Sequence, residues 1–497
     1  MVEKFFWADQ IADKIIKEKG NKKEYVCASG ITPSGTVHIG NFREVITTEL
    51  VVRALEKKGK KVKFIYSWDD YDRFRKVPKN IPENYSKYLG IAISEIPSPF
   101  EDKNKSYAEH FEEEFEKSLK KVWTKPNFIR QNIMNKKCKY SKLIKTALEK
   151  KEIIREILNK YRKEPLSKTW VPVIIYCSKC KKDSTKVLEI KGYEIEYQCE
   201  CGYKEKIDIR KSGNVKLQWR VDWPARWVYE KVDFEPGGID HSVEGGSFST
   251  GKEIVKRVFN YEAPMYQLYE WVRIKGGTEF SSSSGNALTL DEVEEVYEPE
   301  ILRYLFVGTK PRTGFQISFD NDVIKIYEDF DKLEEDYFAG KLNNQQKRIY
   351  ELSKIKIPKK KPEKMSFRHL STLVQLNKIK EMNKDSKTRA EKVKNWLKKH
   401  AGEDMKFEIQ EKIKFPFEGK EKKALIELRG RLKAKNFTSE ELFNEFYNIC
   451  QENEIKNTDF FRAAYQAIIG KEKGPRLAEF ILLIGKEKII KLLGQIK

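Results

Sequence analysis

The pattern that most constrains the fold is a strand, a glycine-rich turn, a helix and a second strand near the start of the chain. Residues 25–28 form a short apolar run, apolar side chains recur at helical spacing over 42–55, and a second apolar run covers 62–68. Such units build parallel sheets, whose ligands bind at the carboxyl ends of the strands. The sequence therefore predicts an α/β domain with a site near Gly30 and Asp69.

The rest of the chain divides where this alternating pattern changes. Apolar runs that end near Val232 and that span Tyr266 to Ile274 predict further strands of the same sheet. Before them, charged helices and a cysteine cluster indicate an insertion, and from Asp291 onward amphipathic helices replace the strands. The predicted segments are the first half of the sheet domain, 1–102; the insertion, 103–212; the second half of the sheet domain, 213–290; a helical region, 291–340; and an all-α domain, 341–497.

Four of the seven cysteines lie in two close pairs, Cys177 with Cys180 and Cys199 with Cys201. Two such pairs on adjacent turns of a hairpin are typical of zinc sites, in which four thiolates surround the ion at about 2.3 Å. Because four sulfur ligands leave no open position for water, the predicted zinc is structural. The alternative is a segment with four unbound thiols.

Two loops have the composition of phosphate-binding segments. In the turn 33–41, glycines allow close approach of a ligand, the following helix has a partly positive N-terminus, and His38 offers a hydrogen-bond donor. In the loop 279–287, four serines precede a glycine and an asparagine, and their hydroxyls and amides suit phosphate oxygens. Each loop alone is equally typical of an ordinary turn or a solvated loop.

Taken together, the two loops and their neighbours resemble the nucleotide-binding signatures of class I aminoacyl-tRNA synthetases, and more closely those of the class I lysyl-tRNA synthetase family. The resemblance spans most of the chain. The segments that carry it are Ala28 to Gly35, His38 to Glu44, Asp69-Asp70, Arg75 to Pro78, Trp219 to Trp227, Asp240-His241, Gly245 to Ser247, Thr250 to Glu253, Tyr269 to Trp271, and Gly470 to Arg476.

The resemblance implies a Rossmann-like catalytic domain with a zinc-bearing insertion, a helical region that contacts the tRNA stem, and an all-α anticodon-binding domain. It also implies ATP-dependent ligation of L-lysine to tRNA(Lys) through lysyl-adenylate, with activation that depends on tRNA, and with Mg²⁺ accompanying the ATP. The family's catalytic positions fall on His38 and Asn41. Its ATP-binding positions fall on Pro33, Ser34, His38, Gly40, Asn41, Ser281, Ser282, Ser283 and Ser284.

Lysine recognition poses an electrostatic problem, because an ammonium must bind inside a strongly basic protein. The resemblance places Gly30, Thr32, Trp219, His241 and Tyr269 in the amino-acid site. Aromatic faces attract an ammonium by about 0.5 to 2 kcal/mol. The acids at the end of the second strand, Asp69 and Asp70, are the predicted source of the counter-charge, with the choice between them open. Core packing is the alternative for Trp219, Trp223 and Trp227, and we expect it for two of the three.

The second loop departs from the family pattern. Relatives carry at least one lysine there that touches the triphosphate, whereas this loop has none and begins with Glu279. Loss of one preorganised transition-state donor costs roughly 2.7 to 4 kcal/mol, so another cation, such as Lys275, must substitute or activation is slow. Two alternatives therefore stay open: a class I synthetase for another amino acid, and a tRNA-binding paralogue that has lost ligation.

The charge balance agrees with a polyanionic partner. The chain carries 98 Lys and Arg against 76 Asp and Glu, a net charge of +22, and such an excess attracts nucleic acid through counterion release. A lysine-rich solvated surface is the alternative. No run of residues has the length and hydrophobicity of a signal peptide or a transmembrane helix, so we predict a cytoplasmic protein that is independent of membranes. We also predict a monomer, and the resemblance implies tRNA(Lys), L-lysine and ATP as its partners.

Overall fold

A computed structural model describes residues 6–102, 104–276, 288–378, 380 and 382–496. The strands within these residues are β1 Tyr25–Ile31, β2 Val62–Trp68, β3 Asn127–Arg130, β4 Val173–Ile175, β5 Thr185–Lys191, β6 Glu194–Cys199, β7 Lys204–Asp208, β8 Val215–Leu217, β9 Phe234–Gly238, β10 Met265–Tyr269, β11 Val272–Ile274 and β12 Phe315–Ile317.

The α-helices of the described residues are α1 Trp7–Lys19, α2 Ile39–Lys57, α3 Tyr107–Lys121, α4 Gln131–Lys136, α5 Ser141–Glu149, α6 Lys151–Asn159, α7 Trp219–Glu230, α8 Ile239–Ser242, α9 Ser247–Arg257, α10 Leu290–Glu294, α11 Pro299–Val307, α12 Asp322–Phe338, α13 Asn344–Lys354, α14 Phe367–Gln375, α15 Lys387–Lys399, α16 Gly419–Ala434, α17 Ser439–Glu452, α18 Asn457–Ile469, α19 Leu477–Ile484 and α20 Lys486–Leu493. Short 3₁₀ helices cover Glu83–Tyr88, Ile93–Glu95 and Lys384–Ser386.

A five-stranded parallel sheet organises the first half of the chain. Its strand order is β10-β9-β1-β2-β3, and every neighbouring pair is parallel. The register of β1 on β2 aligns Ile31 with Trp68, so both strands end at the same edge. This pairing confirms the predicted strand, helix and strand unit, with β1 three residues longer at its carboxyl end than the apolar run suggested.

Two predicted strands are wrong in extent. The strand predicted to end near Val232 instead begins at Phe234, because α7 occupies the residues up to Glu230. The run from Tyr266 to Ile274 forms two strands, because only β10 belongs to the main sheet while β11 pairs with β12. Between them, the backbone N–H of Glu270 donates to the carbonyl of Pro311 at 2.8 Å, which directs the chain away from β9. The partner strand β12 also lies within 291–340, where the sequence predicts a region dominated by helices.

The cysteine-bearing segment forms two small antiparallel sheets. Strands β5, β6 and β7 make one sheet, and β4 pairs with β8 to make the other. The predicted insertion at 103–212 also contains β3, the edge strand of the main sheet, which pairs with β2. The strand β3 therefore belongs to the main sheet, whereas the strands β4 to β8 that follow it form the two small sheets.

The described residues divide into two compact units. The first comprises the chain up to Ile317 together with Ala339–Ile357, and the second comprises Ser318–Phe338 and the chain from Pro358 onward. The five predicted segments are finer than this division and stay predictions.

The second unit is helical, and its core contains many, but not all, of its aromatic side chains. Trp396, Phe446 and Phe460 are fully buried, whereas Phe443 and Tyr447 on α17 are each 44% exposed. Helices α16 to α20 enclose one apolar cluster. Over the described part of the chain, no helix is both long and apolar enough to cross a lipid bilayer.

A buried ion pair joins two helices of the first unit. Arg303 on α11 donates to Glu49 on α2 at 2.7 Å, and their side chains are 0% and 4% exposed. The hydroxyl of Thr124 donates to the same carboxyl oxygen at 3.0 Å, and Arg303 also donates to the carbonyl of Leu352. Removing one partner of such a pair leaves the charge of the other partner buried without full compensation, which destabilises the fold.

We expect Arg303→Met to lower the free energy of unfolding of the first unit by about 3 kcal/mol, near the lower end for broken buried pairs, because Arg53 still contacts Glu49. The matched control is Lys61→Met, which breaks the exposed pair of Lys61 with Glu24 and should change stability by no more than about 1 kcal/mol. Denaturant unfolding measures both values. An equal decrease in the free energy of unfolding in the two variants would show that the buried pair contributes no more to stability than the exposed pair.

Candidate active site

A pocket in the first unit lies at the carboxyl ends of parallel strands. Strands β1, β2, β3 and β9 contribute lining residues, among them Gly30, Ser67, Ile129 and Gly237. Of the residues that the resemblance assigns to the amino-acid site, Gly30, Trp219 and His241 line the pocket, and so does Asp69, one of the two acids predicted from the end of β2. The sheet edge at which they meet is the one that the sequence predicts.

Close strand packing explains the glycine at position 30. A Cβ atom there would lie 2.4 Å from the carbonyl oxygen of Ser67 on β2, closer than any real contact of that kind. Gly30 therefore lets β1 approach β2 while its own N–H points toward α2. That N–H donates to Oε1 of Glu44 at 2.8 Å.

Glu44 is the central acid of the pocket. Its second carboxyl oxygen, Oε2, accepts a hydrogen bond from the hydroxyl of Tyr269 at 2.8 Å. Burial raises the pKa of Glu44 to about 8; the nearby carboxyls of Glu235 and Asp69 add to the rise, and the two hydrogen bonds oppose it. Since a carboxylate has about four acceptor sites, this one retains capacity for a cation.

A second acid, Glu235, lies on the neighbouring strand β9. Its Oε2 accepts a hydrogen bond from the indole N–H of Trp227 at 2.7 Å, and both side chains line the pocket. Burial raises the pKa of Glu235 to about 7. At pH 7 the carboxyl of Glu44 is therefore mostly protonated, and that of Glu235 is about half ionised.

The two predicted acids have different surroundings. Asp69 is buried against Arg226, whose Nη2 lies 3.2 Å from Oδ2 of Asp69, and Arg226 also donates to Ser67. Asp70 accepts a hydrogen bond from the backbone N–H of Asn132, does not line the pocket, and has a pKa that burial raises to about 7. Asp69 is therefore paired with a resident cation, and Asp70 faces another part of the fold.

Three tryptophans of α7 form one wall of the pocket. Trp219 and Trp223 stack with ring centroids 5.4 Å apart, and the guanidinium of Arg226 lies 5.4 Å from the centroid of Trp219. Trp223 and Trp227 are buried, which confirms core packing for two of the three. The imidazole of His241 lies 5.8 Å from the ring of Trp223, and its Nε2 is 3.7 Å from Oδ2 of Asp240.

The turn that precedes α2 lies beside this edge of the sheet. Ser34 accepts a hydrogen bond from the hydroxyl of Tyr107, Pro33 is buried, and Gly40 lies in the first turn of α2. His38 is the N-cap residue of α2, and its backbone N–H donates to Oδ1 of Asn41 at 3.1 Å. Burial lowers the pKa of His38 to about 4, so its imidazole is neutral at pH 7 and can act as a hydrogen-bond donor.

The residues that follow the second predicted loop in sequence lie next to the first loop. Ser281, Ser282, Ser283 and Ser284 lie outside the described residues, but Leu288 and Thr289, which follow them, are placed. The N–H of Ile39 donates to the carbonyl of Leu288 at 2.8 Å, and His38 forms an antiparallel bridge with Thr289. Leu288 and Thr289, which follow the second loop in sequence, thus contact the turn that carries His38.

The four clustered cysteines have the geometry of a metal site. Their sulfur atoms all lie within 4.8 Å of one another, with Cys177 and Cys201 at 3.8 Å and Cys180 and Cys199 at 3.5 Å. Four thiolates around zinc at about 2.3 Å stand about 3.8 Å apart. The donor set and its spacing therefore fit a tetrahedral ion.

Comparison with known proteins places the whole chain in one family. The family model described as class I tRNA synthetases (K) matches residues 5–356, and the model described as an anticodon binding domain matches residues 367–496. The chain belongs to the class I tRNA synthetases of the lysyl type. This confirms the resemblance seen in the sequence motifs.

Curated relatives match this synthetase over nearly its full length. The lysine–tRNA ligase of Borreliella burgdorferi is 48% identical over 514 residues, covering 98% of both chains. The lysine–tRNA ligase of Borrelia garinii subsp. bavariensis is 47% identical, covering 98% of this chain and 99% of its own. That of Pyrococcus horikoshii is 41% identical with the same coverages.

Sequence reasoning missed the synthetase pocket's own acids, Glu44 and Glu235. Glu44 ends the motif His38 to Glu44, and the helical repeat would place it one turn after Gly40 on the face toward the sheet. Nothing in the local sequence distinguishes Glu235. Of the other predicted residues, Tyr269 reaches the pocket through Glu44, and Thr32 donates to Asp72 at 3.1 Å beside it.

The neutral state of His38 in this synthetase is directly measurable. Because burial disfavours the imidazolium, we expect the His38 ring to titrate with a pKa of about 4, below the ordinary value of 6.5. Nitrogen-resolved NMR of histidine-labelled protein measures this, and a His38→Gln variant assigns the signal among the five histidines. Titration near pH 6.5 would contradict the buried placement of this ring.

Proposed function

We propose that this chain is a lysine–tRNA ligase, which joins L-lysine to tRNA(Lys) through lysyl-adenylate. The observation that carries the proposal is the Glu44 carboxyl, which is held by Gly30 and Tyr269 in a pocket walled by aromatic rings and lies beside the turn that carries His38. Membership of the lysyl-type family supports the same substrate.

In this proposal Glu44 receives the side-chain ammonium of the substrate, and Glu235 adds to the negative field. Asp69 is a weaker candidate because Arg226 already pairs with it. A carboxyl with a raised pKa stays protonated in the empty pocket, which avoids an unpaired buried charge, and ionises when an ammonium arrives. Gly30, Thr32, Trp219, His241 and Tyr269 complete the proposed lysine site.

In the first step, a carboxylate oxygen of lysine attacks the α-phosphorus of ATP and pyrophosphate leaves. The protein aligns two anions and balances the charge that grows on the leaving group. The N-terminus of α2 and the neutral imidazole of His38 would donate to phosphate oxygens. Asn41 would support them through its bond to the backbone of His38. ATP is proposed to enter with Mg²⁺ as its counter-ion.

In the second step, a ribose hydroxyl of the terminal adenosine of the tRNA attacks the carbonyl carbon of lysyl-adenylate, and AMP leaves.

We propose that the second unit binds the anticodon region. A cavity of about 630 Å³ in that unit is lined by five basic side chains, Arg368, Lys406, Lys471, Lys473 and Arg476, against two acids, Glu328 and Asp404. That excess of three positive charges suits a phosphate backbone.

We also propose that the four cysteines hold a structural zinc ion. When bound, zinc would cross-link the turn after β4 to the hairpin between β6 and β7, in a segment whose own sheets are small. Its place in the fold gives it no role in either chemical step.

The function is tested by amino-acid-dependent exchange of pyrophosphate into ATP, with each of the twenty amino acids, in the presence and absence of a tRNA(Lys) transcript. We expect exchange with lysine, and only when tRNA is present. Exchange driven by a different amino acid would replace lysine as the substrate. Binding of tRNA without any exchange would identify a paralogue that has lost ligation, as the lysine-free second loop allows.

The raised pKa of Glu44 predicts that lysine binds more tightly as pH rises. Below pH 8 the carboxyl is protonated in the empty pocket and must lose its proton to pair with the ammonium. We expect the Kd of lysine to fall by up to about tenfold per pH unit between pH 6 and 8 and then to level off. Isothermal titration calorimetry in two buffers of different ionisation enthalpy measures both the affinity and the released proton.

The variant Glu44→Gln should bind lysine at least about tenfold more weakly at pH 8.5, because it lacks the negative charge, and should lose the pH dependence above pH 7. Glu24→Gln, at a half-exposed acid outside the pocket, is the matched control and should behave like the unchanged protein. A wild-type affinity that does not vary with pH would exclude Glu44 as the ammonium partner.

Loss of one cysteine tests the metal site. We expect one zinc ion per chain by mass spectrometry of the purified protein, and loss of that ion in Cys199→Ser, because a serine hydroxyl is a poor zinc ligand. Cys138→Ser, at a cysteine outside the cluster, should retain the ion. An unchanged zinc content in Cys199→Ser would contradict the assignment.

A further inference from the structure

A buried lysine of the protein itself lies next to the proposed lysine site. Lys216 is the middle residue of β8, and its side chain is only 4% exposed. Its ammonium contacts Oδ1 of Asp72, four residues after the end of β2. A lysine is rarely buried to this extent unless an acid neutralises its charge, so Lys216 requires a negatively charged partner within hydrogen-bonding distance.

Asp72 connects this lysine to the end of β1. While Oδ1 of Asp72 binds Lys216, Oδ2 accepts a hydrogen bond from the hydroxyl of Thr32 at 3.1 Å. Each carboxyl oxygen therefore has its own partner, and the direction of the Lys216 ammonium fixes the plane of the carboxylate. The Thr32 hydroxyl is oriented as a consequence, two residues after Gly30 of the pocket.

Lys216 and Asp72 each stabilise the charged form of the other. Burial alone would lower the pKa of Lys216, but Asp72, Asp222 and Asp69 hold it above its ordinary value. Burial alone would raise the pKa of Asp72, but Lys216, Arg75 and Thr32 hold it below its ordinary value. The pair is therefore ionised at neutral pH.

The backbone around Lys216 is anchored from both sides. Strand β8 pairs with β4, in a register that places Ile174 opposite Lys216. One residue after β4, the hydroxyl of Tyr176 donates to the carbonyl of Tyr71 at 2.8 Å, directly before Asp72. Three residues after Lys216, α7 begins with Trp219, which lines the pocket. Lys216 thus lies where the cysteine-bearing segment meets the pocket wall.

We propose that Lys216 is a positioning residue for the substrate lysine: through Asp72 it orients the Thr32 hydroxyl at the carboxyl end of β1, where the amino acid binds. Lys216 does not touch the substrate. It also neutralises Asp72 as Arg226 neutralises Asp69, so that the acids left for the incoming ammonium are Glu44 and Glu235. This inference rests on the proposed function, in which Thr32 belongs to the lysine site.

The test compares steady-state constants for tRNA-dependent pyrophosphate exchange in the full chain. In Lys216→Met, which keeps the length of the side chain and removes its charge, we expect the KM for lysine to rise at least tenfold. The KM for ATP should stay within twofold, and kcat within threefold. Lys216→Arg, which keeps the cation, should recover a KM for lysine within threefold of the unchanged protein. A purely structural role would affect both substrates together.

The matched control is Lys204→Met, because Lys204 is also a strand lysine paired with an acid, Glu196, but is 54% exposed. All of its constants should match those of the unchanged protein. If Lys216→Met does not fold, as judged by near-ultraviolet circular dichroism, the double variant Asp72→Asn with Lys216→Met removes the unpaired charge and is measured instead. A KM for lysine raised alone supports the inference, and unchanged constants overturn it.

Failure of this inference is distinguishable from failure of the proposed function. Absence of lysine-dependent exchange in the unchanged protein would overturn both. Normal exchange in the unchanged protein, with the same KM for lysine in Lys216→Met, would overturn the role of Lys216 alone. Equal rises in the KM for lysine and for ATP would also overturn it.

Discussion

A single carboxyl ties together the elements that form the active site. Glu44 on α2 accepts hydrogen bonds from the end of β1, through Gly30, and from the end of β10, through Tyr269, both at 2.8 Å. These two strands are not neighbours, because β9 lies between them. One side chain thus fixes α2 against two separated strand ends, and the turn with His38 directly precedes the same helix.

The charges in the pocket follow from the difficulty of burying ions. Asp69 and Asp72 each have a resident cation, Arg226 and Lys216, and these pairs are already satisfied. Neither Glu44 nor Glu235 forms an ion pair with another residue that the structure describes, and burial raises the pKa of each. In the proposed function, this division reserves two acids for the substrate within a protein whose overall charge of +22 serves the tRNA. Long-range attraction and local selectivity are therefore separate properties of the chain.

Local patterns in the sequence were sufficient to predict the parallel unit, the edge of the sheet that holds the pocket, and the cysteine cluster. Each depends on residues that are close in sequence. The acids of the pocket were not predictable in the same way: Arg226 reaches Asp69 across 157 residues, so nothing near Asp69 shows that its charge is already matched. The division of the run from Tyr266 to Ile274 has a similar cause, since the carbonyl that draws Glu270 away belongs to Pro311.

The central claim is that Glu44 is the partner of the substrate ammonium. A crystal structure of the protein with a non-hydrolysable analogue of lysyl-adenylate tests it most directly. This account predicts the Nζ atom of the analogue within about 3.0 Å of a carboxyl oxygen of Glu44, with the hydroxyl of Tyr269 still bound to the same carboxyl and with Arg226 still paired to Asp69. An Nζ atom bound to Asp69 or Asp70, with Glu44 left in contact only with Gly30 and Tyr269, would contradict it.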